Sequence, residues 1–103
     1  MNYSLRFHPE LHNDLIRNLK WYQNKDPSLA NAFIELFYSS VQKITVNPLA
    51  YVKINEDYRR ILMKKFPYTI YFYIENETVI VAGLFHVAQN PEKIIKKLQK
   101  RNT

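Results

Sequence analysis

Residues 58–91 read YRRILMKKFPYTIYFYIENETVIVAGLFHVAQNP, and this stretch decides the fold class of the chain. Its apolar positions recur with a period of two, the spacing of a β-strand whose side chains alternate between faces. The segment from Arg59 to Lys65 reads as a strand flanked by basic residues. Phe66-Pro67 breaks it, and Tyr68 to Glu75 resumes as a strand dense in aromatic and β-branched side chains. Glu75-Asn76-Glu77 is a tight turn, and Thr78 to Val87 is a third strand. Its run Val79-Ile80-Val81-Ala82 is apolar at every position, as in a strand covered on both faces. Gly83, the only glycine in the chain, marks a bulge or a close backbone approach.

The flanking segments carry helical spacing. Upstream, residues 3–7 alternate and predict a short, half-buried strand. His8-Pro9-Glu10 then opens a helix, with proline in the first turn and an acid against the dipole. Leu11, Leu15, Leu19 and Tyr22 form one stripe, widened by Ile16, and the helix fades near Asn24. Asp26-Pro27 repeats the entry signal for a second helix. Leu29, Phe33, Leu36, Phe37, Val41 and Ile44 line its apolar face out to Val46, where Asn47-Pro48 stops it. The short connection between the two makes them an antiparallel hairpin. Residues 49–57 read as a loop or an irregular edge. Downstream, Asn90-Pro91-Glu92 caps a last helix with Ile94, Ile95 and Leu98 facing in and Lys93, Lys96, Lys97, Lys100 and Arg101 largely outward. The order β-α-α-β-β-β-α predicts an α+β fold: an antiparallel meander joined by the N-terminal strand, with a helical hairpin packed on the sheet.

Composition bounds the function. At 103 residues there is room for one domain, spanning 1–103, and the 47% hydrophobic fraction is enough for its core. Cysteine is absent, which excludes disulfides, thiolate zinc sites and a cysteine nucleophile, and is compatible with a reducing cytoplasm. A single glycine excludes glycine-rich phosphate loops, so no nucleotide cofactor is expected. The alternating N-terminus argues against a signal peptide. No window approaches the ~20 apolar residues of a membrane span. His8 and His12 lie one helical turn apart but lack a nearby third ligand, so no metal is expected. The formal charge of +6 is concentrated in residues 51–103, which carry a net +5 against +1 for residues 1–50. That imbalance suits an anionic partner, either nucleic acid or an acidic protein segment.

The elements and their wording together resemble the RelE/ParE superfamily, ParE-like branch. The matching pieces are Trp21-Tyr22, Asp26-Pro27 before a helix containing Phe33, Asn47-Pro48, Tyr58-Arg59-Arg60, the run from Phe66 to Tyr73, and Leu84-Phe85-His86 with Asn90-Pro91 shortly after. They span essentially the whole chain. The resemblance implies the toxin of a type II toxin–antitoxin system, with growth inhibition, plasmid stabilization and a cognate antitoxin as partner. It further implies a cytoplasmic protein that poisons DNA gyrase by binding; the alternatives are a ribosome-dependent ribonuclease with an altered active site, or a degenerate, non-toxic relative serving only as a binding module. Along the pattern of those ribonucleases, Arg60 keeps a basic position. Leu62, Thr69, Gln89 and Ile95 stand where the others need polar or basic chemistry. The reading therefore leans away from an enzyme.

Target binding is assigned to Arg59, Arg60, Lys64 and Lys65, with Arg59 and Arg60 on opposite faces of their strand. One of that pair is expected to pair with Glu56, Asp57 or a helix C-terminus. Antitoxin binding is assigned, on the resemblance, to Lys93, Lys96, Lys97, Lys100 and Arg101. The same lysines also suit phosphate contacts with nucleic acid. The acid–base candidates are Arg60 and His86; for His86 the competing reading is a structural histidine bonding backbone at the strand end.

Overall fold

The computed structural model describes residues 2–102. The elements follow in the expected order: β1 (Ser4–Phe7), α1 (Pro9–Lys25), α2 (Pro27–Val46), β2 (Arg59–Leu62), β3 (Tyr68–Glu75), β4 (Thr78–His86) and α3 (Pro91–Arg101). Each helix starts on a cap followed by proline: the side chains of His8, Asp26 and Asn90 accept from the backbone N–H two residues on. Such caps satisfy donors that have no partner inside the helix.

The sheet order is β1-β4-β3-β2. The meander β2-β3-β4 is antiparallel, and β1 joins the outer side of β4 in parallel. Alternation along the strands sends two sets of side chains to opposite faces. Ile70, Phe72, Val79, Val81 and Leu84 meet Leu11, Leu15, Phe33, Phe37 and Ile44 of the helical hairpin. Tyr71, Ala82 and Phe85 meet Tyr58, Ile94 and Leu98, so α3 covers the opposite face. The central strands are thus apolar throughout because helices lie on both sides. No helix among the described residues is long and apolar enough to cross a membrane.

Three expectations are corrected. The N-terminal strand is exposed along its length, not half-buried, with Leu5 and Phe7 at the rim of the sheet. It is an edge strand with one neighbour, and the Phe7 ring stands nearly perpendicular to that of Tyr38 from α2, 6.5 Å between centres. The strand expected to run to Lys65 ends at Leu62, because Lys65 takes a left-handed φ of 68° in the turn that returns the chain to Tyr68. Ile16 does not widen the buried stripe of α1; it faces solvent.

Gly83 sits next to a bulge, and the groups that approach it closely are side chains, not another backbone. Tyr71 pairs with Gly83 and Phe72 with Val81, so Ala82 bulges out of the ladder. A Cβ on Gly83 would lie 2.6 Å from the Phe85 ring and 2.9 Å from Nη1 of Arg101. Its φ is not positive, so close approach alone demands glycine here.

Candidate functional site

Arg60 pairs with Tyr71 and Leu62 with Thr69 across β2 and β3, and all four contribute to the sheet face shared with α3. Where α3 begins, this face is concave. Two adjoining hollows of about 260 and 240 Å³ share Arg60, Tyr71 and Pro91. Val52, Lys53, Ile54 and Ile95 complete the first, and Leu62, Thr69, Val87, Gln89 and Ile94 the second. The positions singled out by the ribonuclease pattern (Arg60, Leu62, Thr69, Gln89 and Ile95) therefore converge on one surface. That surface is largely apolar: Leu62 is 62% and Val87 51% exposed, and its cations are Arg60 and Lys53.

The hollow is built by its neighbours. Segment 52–54 runs along the outer edge of β2, with Arg60 N–H donating to Val52 O at 3.1 Å and Ile54 N–H to Tyr58 O at 2.9 Å. Asn55 Oδ1 accepts from the N–H groups of Asp57 and Tyr58, turning the chain into β2. The fully buried Tyr58 donates its hydroxyl to Leu98 O at 3.0 Å and fastens α3 to this corner. Burial pushes the Tyr58 phenol above its ordinary range, with Tyr73 and Asp57 adding to the effect, so the hydroxyl stays protonated and able to donate.

The paired arginines separate as expected. Arg59 points to the other face, where Nη1 donates to Tyr51 O at 2.8 Å and, less closely, to Leu49 O at 3.4 Å. It holds the end of the short 3-10 helix Pro48–Ala50 that follows α2, so of the expected partners it takes carbonyls at a helix C-terminus, not Glu56 or Asp57. Lys64 and Lys65 are exposed in the β2–β3 turn. They do not line the hollow.

His86 stands at the end of β4 opposite Tyr68, on the face of the helical hairpin. Its Nδ1 accepts from Ala88 N–H at 3.0 Å, the structural role of a histidine at a strand end. Arg60 and His86 thus occupy opposite faces of the sheet. His8 is also committed: Nδ1 accepts from Glu10 N–H at 3.0 Å, leaving Nε2–H to donate to Arg101 O at 2.6 Å.

The helix α3 presents Lys93, Lys96, Lys97 and Lys100 to solvent, with Lys97 Nζ 5.8 Å from the Phe85 ring. Arg101 departs from its expected outward direction. Its side chain is only 12% exposed, and Nη1 and Nη2 donate to the fully buried Asp14 of α1 at 2.6 and 3.0 Å. This pair was not anticipated. An aspartate three residues after Leu11 in a buried stripe is the one signal that pointed to it. Its partner, 87 residues away, could not be named from spacing.

A family model of the ParE toxin of type II toxin–antitoxin systems, parDE, matches residues 5–91, from β1 to the start of α3. Toxin ParE2 of Mycobacterium tuberculosis is 24% identical over 102 residues, covering 98% of this chain and 97% of that protein. Among solved structures, a chain of the chromosomal ParDE toxin–antitoxin system of P. aeruginosa superposes with a TM-score of 0.74 at 13% identity. That match covers 82% of this chain and 96% of the other. The free state of an E. coli RelE toxin variant, with two arginines changed to alanine, covers both chains fully with a TM-score of 0.61 at 12% identity. The family match over most of the length, carried by the same α+β architecture, means that this chain belongs to the ParE toxins of type II toxin–antitoxin systems.

Proposed function

We propose that the protein is a cytoplasmic growth inhibitor that acts by binding DNA gyrase, without cutting nucleic acid, and that a cognate antitoxin silences it. The observation that carries this reading is the chemistry of the hollow beneath α3. Cleavage of RNA by a 2′-hydroxyl needs a base, an acid and positive charge held together around one phosphate. The hollow offers cations at Arg60 and Lys53, while Leu62, Val87, Ile94 and Ile95 supply apolar surface. His86 is on the other side of the sheet and cannot serve as the acid or base there. An exposed apolar surface with a cation at its centre suits a protein interface, where aliphatic anchors and an arginine carry most of the affinity.

On this reading Arg60 and Leu62 touch the target, with Lys64 and Lys65 steering the approach from the hairpin tip. Arg59 contributes indirectly by bracing the turn after α2. The lysine row of α3 receives acidic antitoxin residues. The test is induction of the protein with and without its antitoxin, assayed in parallel for gyrase supercoiling and for cleavage of ribosome-bound message. Loss of supercoiling with intact message is the expected result. Message cleavage that disappears in Arg60→Ala would overturn the proposal in favour of a ribonuclease.

A further inference from the structure

A further hollow, of about 460 Å³, opens on the hairpin side of the sheet, lined by Arg17, Asn18, Trp21, Tyr22, Pro67, Tyr68 and His86. It belongs neither to the concavity under α3 nor to the lysine row. Trp21, the only tryptophan of the chain, stands 55% exposed at its rim. Arg17, Trp21 and Lys25 recur every four residues and therefore share one face of α1. The Lys25 ammonium lies 5.4 Å from the Trp21 ring centre. At 1.5 Å per helical residue the Arg17 and Lys25 backbones are about 12 Å apart along the axis, with Trp21 midway between them. Among the described residues Arg17 pairs with Asp14 at 3.7 Å, and that carboxylate is already bound by both arms of Arg101.

We infer that this cation–indole–cation stripe and the hollow beside it form a docking groove for an acidic segment of the antitoxin carrying a large apolar side chain. The inference rests on the neutralisation reading above and adds a second contact surface to it. Two carboxylates would meet Arg17 and Lys25, while the apolar side chain enters between Trp21 and the Pro67–Tyr68 wall. Single-stranded nucleic acid is disfavoured because stacking needs open ring faces. Here Tyr22 is stacked on Phe33 at 5.2 Å, Tyr68 packs against Phe33 and His86, and Lys25 sits over Trp21. A folding acidic segment matches both the charge and the apolar floor.

Trp21 is its own reporter. The toxin is co-expressed with the protein of the reading frame adjoining its own, and the Trp21 emission and iodide quenching are compared free and in the complex. A tryptophan-free version of the partner keeps the signal unambiguous. Burial of the groove shifts the emission to the blue and protects it from iodide. Charge reversal at the exposed positions, Arg17→Glu with Lys25→Glu, should weaken the complex at least tenfold, whereas Lys43→Glu on α2 should not. A complex that forms with Trp21 still quenched and indifferent to both reversals overturns the groove while leaving neutralisation intact. Failure to form any complex overturns neutralisation and the groove together. Protection of Trp21 by oligo-dT, and not by the partner, overturns it in favour of nucleic acid.

Discussion

Asp14 and Arg101 join the two helices that lie on opposite sides of the sheet, through a two-armed ion pair at 2.6 and 3.0 Å. The pair also completes the backbone of β4. β1 covers that edge only as far as Val81, whose carbonyl accepts from His8 N–H. Beyond it, Leu84 N–H donates to Asp14 Oδ2 at 3.1 Å and Ala82 O accepts from Arg101 Nη1 at 3.0 Å. Two charged side chains thus satisfy groups that a longer β1 would have paired.

Removing one member of this pair should be far more damaging than replacing both. Asp14→Ala leaves a guanidinium with 12% exposure and no counter-charge, together with the orphaned Leu84 N–H. The expected loss is about 3–5 kcal/mol, a large share of the ~5–15 kcal/mol that holds a domain folded. The double change Asp14→Leu with Arg101→Met should recover much of it. Urea unfolding of the three proteins measures the difference.

Gly83→Ala should destabilise by about 1–3 kcal/mol through overpacking. The added methyl meets Phe85, Arg101 and Leu98 at 2.6, 2.9 and 3.1 Å, and Arg101 cannot yield without loosening its hold on Asp14. Nuclear magnetic resonance should locate the disturbance in α3 and the bulge. An undisturbed spectrum and an unchanged melting temperature would show that the bulge has slack.

Alkaline pH should weaken the fold through Tyr68. Burial, helped by the neighbouring Tyr22, pushes its phenol up to about 12, above the 10.0 of a free tyrosine. With the folded value raised, the contribution is complete below pH 10 and is lost as pH rises from about 10 to 12. Tyr68→Phe should flatten this part of the curve of stability against pH, by up to roughly 2–3 kcal/mol. Tyr22, also raised by burial, contributes in the same direction.

Leu62→Glu separates fold from action. Leu62 is largely exposed, so stability should change by less than about 0.5 kcal/mol. Growth inhibition on induction should nonetheless fall sharply, because a carboxylate is placed beside Arg60 in the hollow. Equal toxicity from Leu62→Glu and the parent, at matched expression, would remove this surface from the target interface.

Much of the fold was legible because local chemistry and global architecture agree. The three helix entries, the two apolar stripes and the period-two run from Tyr58 each specify an element without help from distant residues. The candidate surface was partly legible. Alternation separated Arg60 from Arg59 across the strand, but the partners that make the Arg60 face concave, Val52, Ile54 and Ile95, come from a loop and a helix outside the meander.

The stretch of residues 58–91 by itself determined the meander and put no basic side chain at Leu62, Thr69 or Gln89. Alternation and residue type are local properties, so the chain states them outright. Tertiary structure decided what no spacing encodes: that Arg60 and His86 face away from each other, and that Arg101 turns inward. The cause of the latter is physical and remote. A buried carboxylate at Asp14 requires a counter-charge, and the only cue on α3 itself is a cation in a helix where most cations face water.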